Sequence, residues 1–183
     1  MAADYLKDIQ TVQPEGPYLL GGGSVGGMIA FEMAQQLRRQ GQEVALLVLI
    51  DPTSPRHGTV ARENMTQRIK SVGIKMATMV VEFCLARRRR LHPRLRMPYF
   101  IAVSLRAACQ YTPQLYSGRT IFFKVAQRAH DPLQEWGRLV AGGVEIYEVP
   151  GDHFSMFKEP HVQVVAERLA LCLHQAQATY QLR

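Results

Sequence analysis

The chain has 183 residues, of which 47% are apolar and 20% charged, with 14 glycines and 10 prolines. This profile is typical of one globular domain and excludes collagen-like, low-complexity and largely disordered chains. The three cysteines are too few for a disulfide framework, and their spacing does not match a zinc site. Because we find neither a signal-peptide pattern nor a membrane-spanning stretch, we expect a cytoplasmic protein without a membrane partner.

The net charge of +7 is concentrated in the middle of the chain. Residues 55–118 hold twelve basic and two acidic residues, whereas residues 1–54 carry a net charge of −3 and residues 119–183 are balanced. The basic segment peaks at four consecutive arginines, Arg87 to Arg90. No DNA-reading or RNA-reading motif accompanies this charge, so we expect no nucleic-acid partner. A solvated helical face is the plainer explanation, and an acidic partner is the alternative.

The predicted elements alternate between helices and strands. In chain order they are a helix at 2–12, a strand at 18–20, a helix at 25–40, a strand at 44–50, a strand at 120–125, a helix at 132–140, a strand at 144–149 and a helix at 160–177. Between the second and third strands, residues 59–113 are predicted to form two or more amphipathic helices, split at His92-Pro93 and at Pro98.

This order of elements predicts the fold class. Residues 44–50 form an uninterrupted apolar run, which is typical of a parallel strand covered on both faces. Strands that alternate with helices indicate an α/β fold with a mostly parallel sheet of about four strands. We therefore expect a single α/β domain over residues 1–183, with a helical insertion at residues 55–118.

A candidate nucleophile lies between the first predicted strand and the following helix. Gly22-Gly23-Ser24-Val25-Gly26 matches the pattern G-x-S-x-G, a sharp turn that lifts the serine hydroxyl above the sheet, with glycines where a Cβ would clash. Helix onset at Val25 aims backbone N–H groups at the site, so the Val25 N–H is a predicted oxyanion donor. The alternative is a glycine-rich turn or a phosphate loop, but no Lys-Ser/Thr pair follows. Ser24 is therefore the predicted nucleophile.

A serine nucleophile needs a base, and the base needs an orienting carboxylate. His153 follows the last predicted strand directly, where a loop would return it over Ser24. Two carboxylates compete for the third role, and both follow Ser24 in the chain order of α/β-hydrolases. Asp51 ends the strand after the nucleophile helix, and Asp131 follows the next strand, which is the commoner place for the acid. We favour Asp51, with Asp131 as the alternative acid; Asp152 is unsuited because its side chain diverges from that of its neighbour His153.

The run from Gly16 to Gly27 resembles the thioesterase domains that terminate polyketide synthases and nonribosomal peptide synthetases. So do residues 30–34 and 44–51, Tyr111-Thr112-Pro113, and Pro150-Gly151-Asp152-His153-Phe154. The resemblance covers nearly the whole chain. It implies an α/β-hydrolase fold in which Ser24 takes the acyl chain and Asp51 orients His153.

The resemblance also implies substrate and partners. Such domains bind no cofactor or metal and act on an acyl thioester carried on the phosphopantetheine of an acyl or peptidyl carrier protein. Residues 55–118 would form the helical lid, whose basic charge suits an acidic carrier protein. The pattern predicts neither the acyl group nor the choice between hydrolysis and cyclisation.

Family members begin with several strands before the helix predicted at residues 2–12. By this resemblance the chain is an N-terminally incomplete thioesterase domain, and the missing strands would carry the second oxyanion donor. Three alternatives therefore stay open: a free-standing editing thioesterase, a generic serine esterase, and a non-catalytic α/β-hydrolase fragment that acts as an interaction module.

Overall fold

A computed structural model describes residues 1–53, 92–126 and 133–181 of the chain. Its elements in chain order are α1 (Ala2–Val12), β1 (Tyr18–Gly23), α2 (Val25–Arg39), β2 (Val44–Ile50), α3 (Pro93–Gln110), β3 (Thr120–Val125), α4 (Leu133–Trp136), β4 (Val144–Val149), a short 3₁₀ helix (Ser155–Phe157) and α5 (His161–Gln181). They belong to two compact units, Met1–Thr53 with Pro113–Arg183, and Ser54–Thr112. Among these described helices, none is long and apolar enough to cross a membrane.

The four strands form one parallel sheet in the order β1-β2-β3-β4. This confirms the predicted α/β class and the predicted number of strands among the described residues. β1 is longer than expected, because Gly21 to Gly23 stay paired with Val48 to Ile50 of β2. Since all four strands run in the same direction, their carboxyl ends lie at one edge of the sheet.

Helices cover the sheet on both faces. Leu46 and Val48 of β2 belong to a buried cluster that includes Val165 and Cys172 of α5. Side chains alternate along a strand, so the fully buried Leu47 and Leu49 point to the opposite face, where α2 packs on β1 and β2. The apolar run at 44–50 is therefore a central strand buried on both faces, as its sequence predicts.

An aromatic cluster joins α2 to the segment around β3. The ring of Phe31, which is fully buried, packs edge to face against Tyr116 at 5.6 Å and Trp136 at 5.0 Å between centroids. Burial raises the pKa of the Tyr116 hydroxyl to about 12. These three side chains fix the segment that precedes β3 and the short helix α4 against α2.

A buried glutamine on the same helix holds the chain where it enters the sheet unit at Pro113. Gln35 is 5% exposed. Its Nε2 donates to the carbonyl oxygen of Gln114 at 3.0 Å, and its Oε1 accepts from the Gln114 N–H at 3.4 Å. The Gln35 side chain therefore bonds both backbone groups of Gln114, as a neighbouring strand would.

Two details differ from the sequence predictions. α3 runs from Pro93 to Gln110 without ending at Pro98, so the expected split at that residue is wrong. A proline inside a helix removes one N–H donor, here the one that would reach the carbonyl of Arg94, and the helix continues with that bond missing. In α5, the apolar spacing of Val162, Val165, Ala166, Leu169 and Leu173 predicts one inward face. Ala166 is exposed instead, because the buried line follows Val165, Cys172 and Ala176.

Candidate active site

Ser24 occupies the single residue between β1 and α2, in a strained conformation. Its φ is 52° and its ψ is −124°, a backbone region that residues with a Cβ rarely adopt. Three hydrogen bonds hold it there: the Ser24 N–H donates to the carbonyl of Ile50 at 3.0 Å, and the Ser24 carbonyl accepts from Gly27 and Thr53 at 3.1 Å each. This geometry is that of a nucleophile elbow, in which the serine side chain is raised at the carboxyl edge of the sheet.

The close packing of the elbow explains why residue 22 is a glycine. A Cβ on Gly22 would lie 2.2 Å from the carbonyl oxygen of Gly26, because the strand and the following helix turn almost touch there. A Cβ on Gly26 would meet nothing within 4 Å. The steric requirement that the sequence pattern predicts for both glycines therefore holds for Gly22 and is wrong for Gly26.

Asp51 and His153 are in direct contact. Asp51 is completely buried, and its N–H donates to the carbonyl of Phe123 at 2.7 Å, which anchors it beside β3. Its Oδ2 lies 2.5 Å from Nδ1 of His153, whose side chain is about one-third exposed. A carboxylate at Nδ1 fixes the ring orientation and leaves Nε2 for proton transfer.

The loop that carries His153 is shaped by its neighbour Asp152. The Asp152 carboxylate accepts hydrogen bonds from the N–H groups of Phe154 at 2.8 Å and Ser155 at 2.9 Å. The Ser155 hydroxyl accepts in turn from the Asp152 N–H at 2.8 Å. The two backbone donors hold the pKa of Asp152 below its usual range. Asp152 therefore bonds the backbone after His153, and the imidazole itself contacts Asp51.

Sequence reasoning missed two residues beside Ser24. The Thr53 hydroxyl oxygen lies 3.4 Å from Ser24 Oγ. The ring of Phe157 lies so close to Gly23 that a Cβ there would be 3.3 Å from its Cζ atom. A signal for Thr53 exists in the sequence, because it follows Asp51 by two residues at the end of a predicted strand. No comparable signal exists for Phe157.

The other predicted site residues lie as follows. Val25 is the first residue of α2, where an N–H has no carbonyl of a preceding helical turn to bond. Asp131 lies outside the described residues, and so do residues 54–91, which include Arg87 to Arg90 and most of the predicted insertion. Within the described parts of the chain, no group of three His, Cys, Asp or Glu side chains is arranged to hold a metal ion.

A separate cavity of about 400 Å³ opens beside the first strand. Its lining comes from Pro17, Leu19, Ala45, Ala176, Gln177 and Tyr180. None of the candidate site residues belongs to this lining, so the cavity takes no part in the site at the carboxyl edge of the sheet.

Comparison with known proteins identifies the family. The model of the thioesterase domain matches residues 1–172. The malpibaldin synthetase of Mortierella alpina is 27% identical over 175 residues, which cover 90% of this chain and 3% of the synthetase. The orsellinic acid synthase of Emericella nidulans is 25% identical over 209 residues, which cover 91% of this chain and 10% of that synthase. The chain thus spans a small fraction of the curated relatives it matches.

Solved structures give the same result. The NocB thioesterase domain from the nocardicin cluster, in covalent complex with a fluorophosphonate nocardicin G analog, is 29% identical with a TM-score of 0.67. The match covers 94% of this chain and 72% of that domain. The same family is indicated by the family model, by these solved structures and by the parallel sheet with a serine at its edge. The chain belongs to the thioesterase domain family and has the α/β-hydrolase fold of the polyketide and nonribosomal peptide synthase type.

Proposed function

We propose that this chain is a serine thioesterase that releases an acyl or peptidyl chain from the phosphopantetheine arm of a carrier protein. The observation that carries the proposal is the 2.5 Å contact of Asp51 with His153, at the same sheet edge as the strained elbow of Ser24. A buried carboxylate, an imidazole and a raised serine hydroxyl are the three parts of acyl-transfer catalysis. The partner class follows from the relatives, which are polyketide and peptide synthases.

In the first half of the proposed reaction, the acyl chain moves to the enzyme. His153 takes the proton of the Ser24 hydroxyl at Nε2, and Asp51 stabilises the imidazolium that forms. Ser24 Oγ bonds to the thioester carbon, and the carbon–sulfur bond breaks. The proton then passes from His153 to the sulfur, so that a neutral thiol leaves and an acyl-serine ester remains.

In the second half, a water molecule or a nucleophile within the acyl chain gives its proton to His153 and bonds to the acyl carbon. The bond between that carbon and Ser24 Oγ breaks, and His153 returns the proton to the serine. The product is a free acid or a ring. In both halves the Val25 N–H would donate to the negative carbonyl oxygen, an interaction worth about 2.7–4 kcal/mol for one donor in a well-studied case.

The charge distribution and the cysteines fit this setting. The twelve basic residues within 55–118 complement an acidic carrier protein and its phosphate-bearing arm. The carrier supplies the phosphopantetheine, and the domain needs no cofactor of its own. A reducing cytoplasm suits the unpaired, buried Cys172.

The test is covalent labelling of Ser24. We expect a fluorophosphonate probe to add one label to the full chain by intact mass, as the NocB domain forms a covalent complex with such a compound. Ser24→Ala should remove both the label and the release of thiol from an acylated carrier protein. The matched control is Ser117→Ala at an exposed serine, which should keep both.

Labelling that persists in Ser24→Ala would refute the assignment of the nucleophile. Comparing an acyl thioester with the corresponding oxygen ester separates a thioesterase from a generic esterase, since the proposal requires a higher kcat/KM for the thioester. A chain that folds cooperatively but neither takes the label nor hydrolyses the thioester would be an interaction module instead.

A further inference from the structure

We infer that the hydroxyl of Thr53 is an auxiliary hydrogen-bond donor to Ser24 Oγ, and that it acts chiefly when Ser24 carries the acyl group. The inference rests on the proposed function and adds a fourth side chain to its machinery. It assigns to Thr53 the release of the acyl chain from the serine rather than the capture of the chain from the carrier.

The segment Asp51-Pro52-Thr53 contacts the site in two ways. Asp51 reaches His153, and Thr53 reaches Ser24. The Thr53 N–H donates to the Ser24 carbonyl at 3.1 Å, which ties the two backbones together. With its backbone fixed to that of Ser24, the Thr53 side chain is held beside Ser24 Oγ, and the two oxygens lie 3.4 Å apart.

The direction of this hydrogen bond depends on the state of Ser24. In the free enzyme both oxygens carry a proton, and either can donate. Once Ser24 is acylated, its Oγ is an ester oxygen without a proton and can only accept. Thr53 is then the donor, while His153 is free to take the proton of the attacking water.

This donor favours the departure of Ser24. As the bond between the acyl carbon and Ser24 Oγ breaks, negative charge develops on Oγ, and a donor already in place stabilises that charge. A distance of 3.4 Å is long for two neutral hydroxyls, and hydrogen bonds to a charged oxygen are shorter and stronger. Thr53 keeps its own proton throughout, and His153 supplies the proton that Ser24 regains.

The test compares Thr53→Val with Thr53→Ser in the full chain. Valine has the shape of threonine and leaves the backbone N–H in place, whereas serine restores the hydroxyl. We expect Thr53→Val to slow hydrolysis of acyl-Ser24 about five- to tenfold, the factor that corresponds to one neutral hydrogen bond. Because acylation is nearly unchanged, kcat and KM should fall together, kcat/KM should hold, and acylated protein should accumulate by intact mass. Thr53→Ser should restore kcat, and Thr179→Val on the exposed side of α5 is the matched control.

Two results would overturn the inference. One is a Thr53→Val variant with the natural rate of deacylation. The other is a loss of kcat/KM as large as the loss of kcat, or one that serine does not restore, which would mean that Thr53 merely supports the elbow. Failure of the proposed function itself is distinguishable, because the natural chain would then form no acyl-Ser24, and both assignments would fall together.

Discussion

The imidazole of His153 lies 2.5 Å from the carboxylate of Asp51, although 102 residues separate the two in the chain. The contact joins the residue that follows β2 to the loop that follows β4, and these two strands are not neighbours in the sheet because β3 lies between them. Asp51 also donates its N–H to the carbonyl of Phe123 within β3. The buried carboxylate of Asp51 is thus held beside β3 and bonded to the loop after β4, and its removal has a predictable effect.

We expect Asp51→Asn to lower kcat for thioester hydrolysis by about 10⁴-fold, the loss seen when the carboxylate of a serine triad becomes an amide. The amide neither stabilises the imidazolium nor fixes the tautomer of His153. Thiol release from an acyl thioester measures the effect. Asp131→Asn should keep a kcat close to that of the natural chain; the reverse ranking of the two variants would make Asp131 the acid.

The two glycines that flank the elbow should respond differently to alanine. Gly22→Ala forces a Cβ against the carbonyl of Gly26, and overpacking of this kind costs roughly 1–3 kcal/mol or more. Gly26→Ala enters open space in the first turn of α2 and should leave the thermal midpoint unchanged or raise it slightly. Thermal unfolding of both variants tests this, and equal losses would contradict the steric reading.

Phe157 and Gly23 should be energetically coupled. In Gly23→Ala the new Cβ lies 3.3 Å from Phe157 Cζ, so the ring, which is 49% exposed, has to move. That ring belongs to the 3₁₀ helix that follows the His153 loop, and we therefore expect kcat to fall while stability drops by less than about 1 kcal/mol.

A double-mutant cycle checks the coupling. Gly23→Ala should cost less in a Phe157→Leu background, because leucine lacks the ring atoms that the Cβ approaches. Additive effects of the two substitutions on both kcat and the free energy of unfolding would show that the ring does not transmit the change.

Asp152 should make the His153 loop sensitive to acid. Its pKa in the folded chain is lowered by the N–H groups of Ser155 and Phe154, whereas the unfolded chain has the ordinary value of about 3.9. The stabilisation is therefore complete above that value and is lost as the pH falls through the lower, folded value. Asp152→Asn has no charge to lose, so the difference in thermal midpoint between the natural chain and this variant should shrink as the pH is lowered below about 4. A difference that stays constant with pH would contradict the assignment.

Replacing Gln35 should lower the free energy of unfolding more than replacing its neighbour Gln36 on α2. Gln35→Leu removes the partner of both backbone groups of Gln114 at a partly buried position, where each hydrogen bond contributes about 0.5–1.5 kcal/mol. Gln36 bonds to Glu32 on the same helix and is only partly buried, so Gln36→Leu is the matched control with a smaller expected loss. Urea unfolding measures both, and similar losses would mean that the Gln114 bonds contribute little.

Local pattern was sufficient for the strands. The strands predicted at 44–50, 120–125 and 144–149 match β2, β3 and β4 to the residue. Residues 44–50 are a continuous apolar run, as is typical of a buried parallel strand, whereas β4 contains two glutamates and is buried only at Val149. β1 was predicted three residues short, since Gly21 to Gly23 have no strand propensity and are held by pairing with β2. That pairing is a tertiary effect, which a single segment does not encode.

In the candidate site, too, local sequence predicts some residues, and others depend on tertiary contacts. Ser24, Asp51 and His153 are predictable because each stands next to a recognisable element end. The approach of Phe157 to Gly23 depends on how the 3₁₀ helix packs against the elbow. Gln35 is buried, but glutamine is a residue type usually found at the surface. Both arise from contacts distant in sequence, so no periodicity or spacing marks them.

The attachment of the chain to α2 on either side of residues 54–112 has an evolutionary consequence. Thr53 is tied to Ser24 at the start of the helix, and Gln114 is tied to Gln35 further along it. At the helical rise per residue, these two ties stand about 16 Å apart along the axis. Relatives can therefore carry a different sequence between these two ties, provided that its ends span the same distance along α2. Selection can then diversify that stretch while the strand ends of the sheet unit keep the same chemistry.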